Sequence, residues 1–156
     1  IGVSIYEKDE ITKIMNCTFR PDIIQIPMNI LDTRLYKEGI LSDFDETIEL
    51  HVRSVFLQGL FFLSNNDIKI RFKDAFPYIE KLKMIAFKAN LTLAELSLLW
   101  LISLKKVKKI LIGIDNKNQL KMHLKTIKKR VKSEVFNEAL LIDYKNRSIL
   151  NPSLWR

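Results

Sequence analysis

Apolar and polar positions change period several times along the chain, and each change marks an element. Ile1–Tyr6 is short and β-branched, which predicts a strand. Lys8–Met15 follows with Ile11, Ile14 and Met15 on one helical face. After a loop closed by Arg20-Pro21-Asp22, Ile23–Ile26 is apolar on both faces apart from Gln25, and Pro27 ends it. That is the pattern of a strand in a parallel sheet covered by helices. Gln25 then needs partners or a ligand, because burying its amide unpaired is costly. Leu35–Phe44 reads as a short, irregular helix containing Gly39. Residues 48–56 alternate as a strand, with Leu50, Val52 and Ser54 to one side and His51, Arg53 and Val55 to the other. Ser64–Lys73 is polar and poorly patterned, and reads as a long loop.

The second half is more helical. Phe76–Ala89 is amphipathic through Phe76, Ile79, Leu82, Ile85 and Ala86, and Asn90-Leu91 breaks it. Thr92-Leu93-Ala94-Glu95 has capping-box spacing and starts a helix to Leu104 that is apolar almost all round, so it expects burial on more than one side. Lys109–Ile112 is the next strand, with Gly113 as its exit. Asp115 or Asn116 caps a helix running to about Val131. The order is strand then helix four times over, which means an α/β fold with a parallel sheet under helical cover. Residues 1–132 hold the four units. Residues 133–156 form a C-terminal extension that ends in the run SILNPSLWR and is expected to pack on the same domain.

The strand at 48–56 organises the rest. It carries Arg53 near its C-terminal end and flows into Leu57-Gln58-Gly59, where the glycine allows backbone angles that other residues resist. In parallel (β/α) folds ligands sit at the C-terminal ends of the strands. Arg53, Ser54 and the turn can therefore offer an anion a cation, a hydroxyl and free amides. An ordinary buried strand with a solvated arginine at its rim has the same pattern.

Composition narrows the class. With 47% apolar and 28% charged residues the chain is globular and not disordered. The single cysteine, Cys17, cannot close an internal disulfide, so a reducing, cytoplasmic location is expected. No apolar run reaches membrane-spanning length and no signal peptide is evident. Ile1, not a methionine, opens what reads as a strand, so the expectation is of processing or of chain upstream. The net charge of +8 is concentrated in Lys105–Lys109 and Lys121–Lys132. Such runs mark nucleic-acid binders, but here Leu120, Leu124, Ile127 and Val131 recur at helical spacing and leave the lysines on a solvated outer face. No zinc-ligand spacing, glycine-rich phosphate loop or aromatic-interleaved basic sheet accompanies them, so nucleic acid is the minor reading and no metal is expected.

Four segments in series carry a family resemblance: GVSIY at Gly2–Tyr6, QIPMN at Gln25–Asn29, RSVFLQGLF at Arg53–Phe61, and LLWLIS…ILIGIDNKNQL over Leu98–Leu120. Together they resemble the second half of an aldo/keto reductase, strands five to eight of its (β/α)8 barrel. HVRSVFLQGL and the terminal NPSLW are most similar to a bacterial branch found near surface-polysaccharide genes. The resemblance implies half of a TIM-type barrel, since a closed one needs about 250 residues, and a nicotinamide dinucleotide as ligand.

It also implies roles. Ser4 and Gln25 would hold the nicotinamide carboxamide, although Ile5 stands where an asparagine is usual. Arg53 replaces a tyrosine that stacks on the nicotinamide ring. Ser54, Phe56 and Gln58 would wrap the pyrophosphate. Gly113 to Gln119 corresponds to the adenosine end, with Lys117 meeting a 2′-phosphate (hence NADP over NAD), Asn118 as a polar contact and His123 in place of an adenine-binding asparagine. The family's proton-donating tyrosine and its lysine, aspartate and histidine partners all lie on strands one to four. None has a counterpart here, so no catalytic residue is assigned. The implied protein is the cofactor-binding half of a carbonyl-reducing oxidoreductase, inactive alone and paired with an N-terminal half or with itself. A non-catalytic cofactor sensor or interaction module is the alternative.

Overall fold

The computed structural model describes residues 1–44 and 46–155, so Arg156, the last residue of the C-terminal run, lies outside them. Four strands form one sheet: β1 (Gly2–Ser4), β2 (Ile23–Pro27), β3 (Glu49–Arg53) and β4 (Val107–Ile110). They pair in the order β1-β2-β3-β4 and all are parallel. That order can continue into a ring from either edge. The register sets Ser4 beside Gln25 and Gln25 beside His51, with Pro27 beside Arg53 one step further up.

Between the strands run α1 (Lys8–Met15), α2 (Arg34–Lys37), α3 (Asn65–Arg71), α4 (Phe76–Lys88) and α5 (Leu93–Ser103), and after β4 come α6 (Lys117–Thr126), α7 (Ser133–Leu140) and α8 (Arg147–Leu150). α1 has the bounds its pattern predicts. In place of one irregular helix at 35–44 there are two short pieces, α2 and a 3₁₀ turn at Ile40–Ser42. Gly39 at φ 80° separates them. α4 ends where Asn90 turns left-handed at φ 56°, a conformation Asn tolerates better than most residues, and Leu91 N–H donates back to the Ala86 carbonyl. The capping box of α5 is present in both directions: Thr92 N–H donates to Glu95 Oε2 at 2.9 Å and Glu95 N–H to Thr92 Oγ1 at 3.2 Å. Every residue from Leu93 to Leu101 except Glu95 is buried, as an all-apolar helix requires.

Four further expectations need correction. The stretch 64–73 is not a long loop but contains α3, capped by Ser64 Oγ on Asp67 N–H, with Ile68 and Phe72 its buried anchors. β3 stops at Arg53, because Ser54 takes φ 60° and leaves the sheet. β4 begins at Val107, two residues early, and a register irregularity opposite Leu50 and His51 lets it pair. α6 also ends sooner, at Thr126. Leu120 and Leu124 of α6, and Ile127 just past its end, remain half exposed beside Leu98 and Ile102 of α5, along an apolar groove of ≈ 480 Å³.

The core lies between the sheet and α4–α5. Ile24, Ile26, Leu50 and Val52 point into it with at most 2% exposure, and Trp100, edge-on to Tyr36, fills its middle. The C-terminal segment packs on α3 and α4: Tyr144 donates to Asp74 Oδ2 at 2.9 Å, and Trp155 lies 4.8 Å from the Phe72 ring. No single helix is long and apolar enough to cross a membrane among the described residues; α4 and α5 together reach the length but meet at 78°.

Candidate functional site

Alternation along the strands gives the sheet two unlike faces. One is apolar and covered by helices. The other carries Ser4, Gln25, Glu49, His51, Arg53 and Lys109, and only His51 among them is fully buried. His51 sits mid-strand and is held by Glu49 at 2.9 Å, and Lys109 approaches the same carboxylate at 3.9 Å. Gln25 is half-buried, and its side-chain amide makes no hydrogen bond among the described residues. The open face is a row of polar groups with spare hydrogen-bonding capacity.

At the C-terminal rim of that face the chain leaves β3 through an unusual turn. Ser54, Leu57 and Gln58 have φ of 60°, 47° and 50°, and Gly59 has 85°. Non-glycine residues enter this left-handed region only where the surroundings force them, and such positions concentrate at ligand sites. Two braces hold it. Asn29 Nδ2 donates to the Ser54 carbonyl at 3.0 Å, and Ser97 Oγ, deep in α5, donates to the Val55 carbonyl at 2.9 Å while accepting from Ile30 N–H. Leu57, fully buried, anchors the turn in the core. The amides of Val55, Phe56 and Gln58 donate to nothing among the described residues. Successive free N–H groups on a left-handed turn form a concavity suited to anions.

The turn forms one wall of a cleft of ≈ 520 Å³ whose other wall is the exit of β4. Of the sequence candidates, Arg53, Ser54, Phe56, Gln58 and Gly113 line this cleft together. Ser4 reaches it through Arg53, whose Nε donates to Ser4 Oγ at 3.2 Å while Nη1 donates to Ser54 Oγ at 3.3 Å. Lys117 and Asn118 are exposed on the first turn of α6, outside the cleft lining. Asn116 Oδ1 already accepts from the amides of Asn118 and Gln119, so an anion there meets the helix dipole with fewer free donors. His123 faces the apolar groove on the other side of Phe56 and stacks on its ring at 4.9 Å; burial pushes its imidazole pKa below the usual range.

Several contributors escaped the sequence reading. Tyr6 carries the Arg53 guanidinium 4.3 Å above its ring. Asp115 and Gln119 fall within the segment assigned to the adenosine end, but their pairing was not foreseen: they close the far end of the cleft reciprocally, Asp115 N–H to Gln119 Oε1 at 2.8 Å and Gln119 Nε2 to Asp115 Oδ2 at 3.1 Å. Asn29 and Ser97, polar residues inside apolar runs, were the legible signal for the braces. The remaining tyrosines pack elsewhere, Tyr36 on Trp100 and Tyr78 against Tyr144.

Four successive parallel strands with helices over one face and a ligand-sized cleft at their C-terminal ends are part of a (β/α)8 barrel. The fold is similar to that of the thermostable aldo-keto reductase Tm1743, solved with the inhibitor epalrestat, at TM-score 0.65 and 20% identity over 90% of this chain and 47% of that one. It is also similar to aldo-keto reductase AKR11C1 from Bacillus halodurans in its holo form, at TM-score 0.64 and 16% identity over 93% of this chain and 51% of that one. The chain spans about half the length of these solved reductases. No curated protein sequence matches it. The model of the aldo/keto reductase family matches residues 1–141, and the chain belongs to that family.

Proposed function

We propose that the chain is the C-terminal, dinucleotide-binding half of an NAD(P)-dependent carbonyl-reducing oxidoreductase, its four strands standing as strands five to eight of the barrel. The observation that carries this reading is the turn at 54–59, with left-handed non-glycine backbone and free amides beside Arg53. Ser54, Phe56 and Gln58 would bind the pyrophosphate, Ser4 and Gln25 the carboxamide, and Arg53 would stand beside the ring. Gly113 lines the cleft toward the adenosine end, where the space beside its Cα is open. Lys117 and Asn118 are set to meet a 2′-phosphate and the adenosine, which favours NADP over NAD, and His123 supports the adenine end through Phe56.

When bound, the nicotinamide supplies the hydride for a carbonyl carbon. The residues here bind and orient. The proton for the alkoxide oxygen has to come from a group on strands one to four, so the chain alone does not complete the reaction. A further (β/α)4 unit, from an upstream segment or a second copy, would pair with the open sheet edges and cover the polar face. Its first helix would fill the apolar groove beside α6. A reducing, cytoplasmic setting suits the exposed thiol of Cys17.

Titration with NADPH and NADH, followed by cofactor fluorescence, alongside an aldehyde-reduction assay, tests the proposal. Saturable binding without turnover by this chain, and turnover once strands one to four are supplied, is the expected result. Absence of dinucleotide binding in both forms refutes it.

A further inference from the structure

Two arginines stand at the C-terminal rim of the sheet, and they are treated differently. Arg34 is 11% exposed and has carboxylates on two sides: Asp32 at 2.8 Å and Glu7 at 3.2 Å. Arg147 meets the same Glu7 at 3.0 Å, so that cluster neutralises itself. Arg53 has only neutral company. Its Nε and Nη1 donate to the hydroxyls of Ser4 and Ser54, and its plane lies over the Tyr6 ring. No carboxylate among the described residues pairs with it, and its Nη2 is covered yet has no acceptor.

A guanidinium is a permanent cation with donors in a rigid fork matched to carboxylate and phosphate oxygens. Covering one of those donors without a partner is unfavourable, and such exceptions in native structures ask for an explanation. A solvated rim arginine would turn its fork to water. Arg53 instead lies across the sheet face, fixed by three contacts from β1, its exit and the turn after β3, while lining the cleft.

We propose that Arg53, with the hydroxyls of Ser4 and Ser54 as its supports, anchors an oxyanion subsite that takes a carboxylate or phosphate group in the cleft. Either the acid group of an anionic carbonyl substrate or a phosphate of the dinucleotide supplies that chemistry. The subsite rests on the dinucleotide-binding reading only for the choice between these two sources, since the unpaired cation is a property of the chain itself.

The test uses the intact chain and follows the Arg53 side-chain Nε–H resonance, with the Ser4 and Ser54 amides, by ¹⁵N-edited NMR. Inorganic pyrophosphate is one titrant and pyruvate the other. A saturable shift at Arg53 with either anion in the unaltered chain, and an anion affinity read from the Ser4 and Ser54 amides that falls at least about tenfold in Arg53→Gln and is partly kept in Arg53→Lys, supports the subsite. Unchanged anion affinity at the Ser4 and Ser54 amides in Arg53→Gln, or shifts confined to the lysines of α6, overturn it. Repeating the pyruvate titration with NADPH present separates the sources. Pyruvate binding alongside the dinucleotide assigns the subsite to a substrate acid group, and displacement assigns it to the cofactor phosphates. If NADPH binds but neither anion reaches Arg53, the subsite fails while the dinucleotide reading stands. If an anion binds at Arg53 and no dinucleotide does, the reverse holds.

Discussion

The two faces of the sheet differ by one residue step and by most of the physics of the molecule. Ile24, Ile26, Leu50 and Val52 are sealed under α4 and α5, where dispersion and the removal of apolar surface from water hold the chain together. Gln25 and Arg53 alternate with them on the same strands but carry polar atoms toward open space, while His51 between them is buried and held by Glu49. The covered face does the folding. The open face keeps part of its hydrogen-bonding capacity unspent, at the Gln25 amide and Arg53 Nη2, which is what a binding surface needs, and Ser97 joins the two by reaching from the core helix to the turn that walls the cleft.

The largest effect that can break this contrast is on the covered side. Trp100 is 1% exposed in the middle of the core and meets Tyr36 edge-on. Trp100→Ala is expected to lose about 3–5 kcal/mol of stability, read as a fall in the urea midpoint. Dinucleotide affinity should fall as well, because α5 positions Ser97. A loss below about 1 kcal/mol would mean that the core is not where the stability lies.

This covered face was also the more legible one. The all-apolar run Leu96–Leu101 and the Thr92–Glu95 box dictate α5 with its depth of burial, since nothing polar interrupts the run except a serine that finds two partners. The parallel sheet followed from β2, which is apolar on both faces except at Gln25. The open rim was harder to read. Ser54 continues the alternation of Leu50 and Val52, so pattern extends β3 to residue 56, whereas the backbone departs at Ser54 because Asn29 and Ser97 hold the turn from elsewhere in the chain. α3 was missed because a seven-residue helix anchored by Ile68 and capped by Ser64 is too short to show a period. The motifs placed Arg53 at the rim, but its stacking on Tyr6 joins residues 47 positions apart and leaves no local signature.

A smaller effect sharpens the boundary between the two regions. His123 is buried against Phe56, on the far side of the cleft wall, and burial holds its imidazole pKa below the ordinary value. The unfolded chain therefore binds a proton at a pH where the folded chain resists it, and stability rises with pH through that window. The contribution is complete above about pH 6.5 and is lost as the pH falls below it. Urea midpoints between about pH 5 and 8 should show this slope. His123→Phe, which keeps a ring on Phe56, should flatten it. An unchanged slope would place the acid sensitivity elsewhere.

The smallest effect on stability should come from the open face, and it is the most informative. Gln25 follows Ile24 directly, yet its side-chain amide is unbonded among the described residues, whereas Ile24 is fully buried. Gln25→Ala removes no contact that folding depends on, so the unfolding free energy should move by less than about 0.5 kcal/mol. If this amide holds a ligand, the same change should weaken NADPH binding by about tenfold, the worth of one good hydrogen bond in a desolvated site. The ratio of these effects is the measurement. A residue serving the fold loses stability first and binding in proportion, whereas one serving the site loses binding alone. Equal losses in both would return Gln25 to the core, and with it the claim that the uncovered side of the sheet is the side that binds.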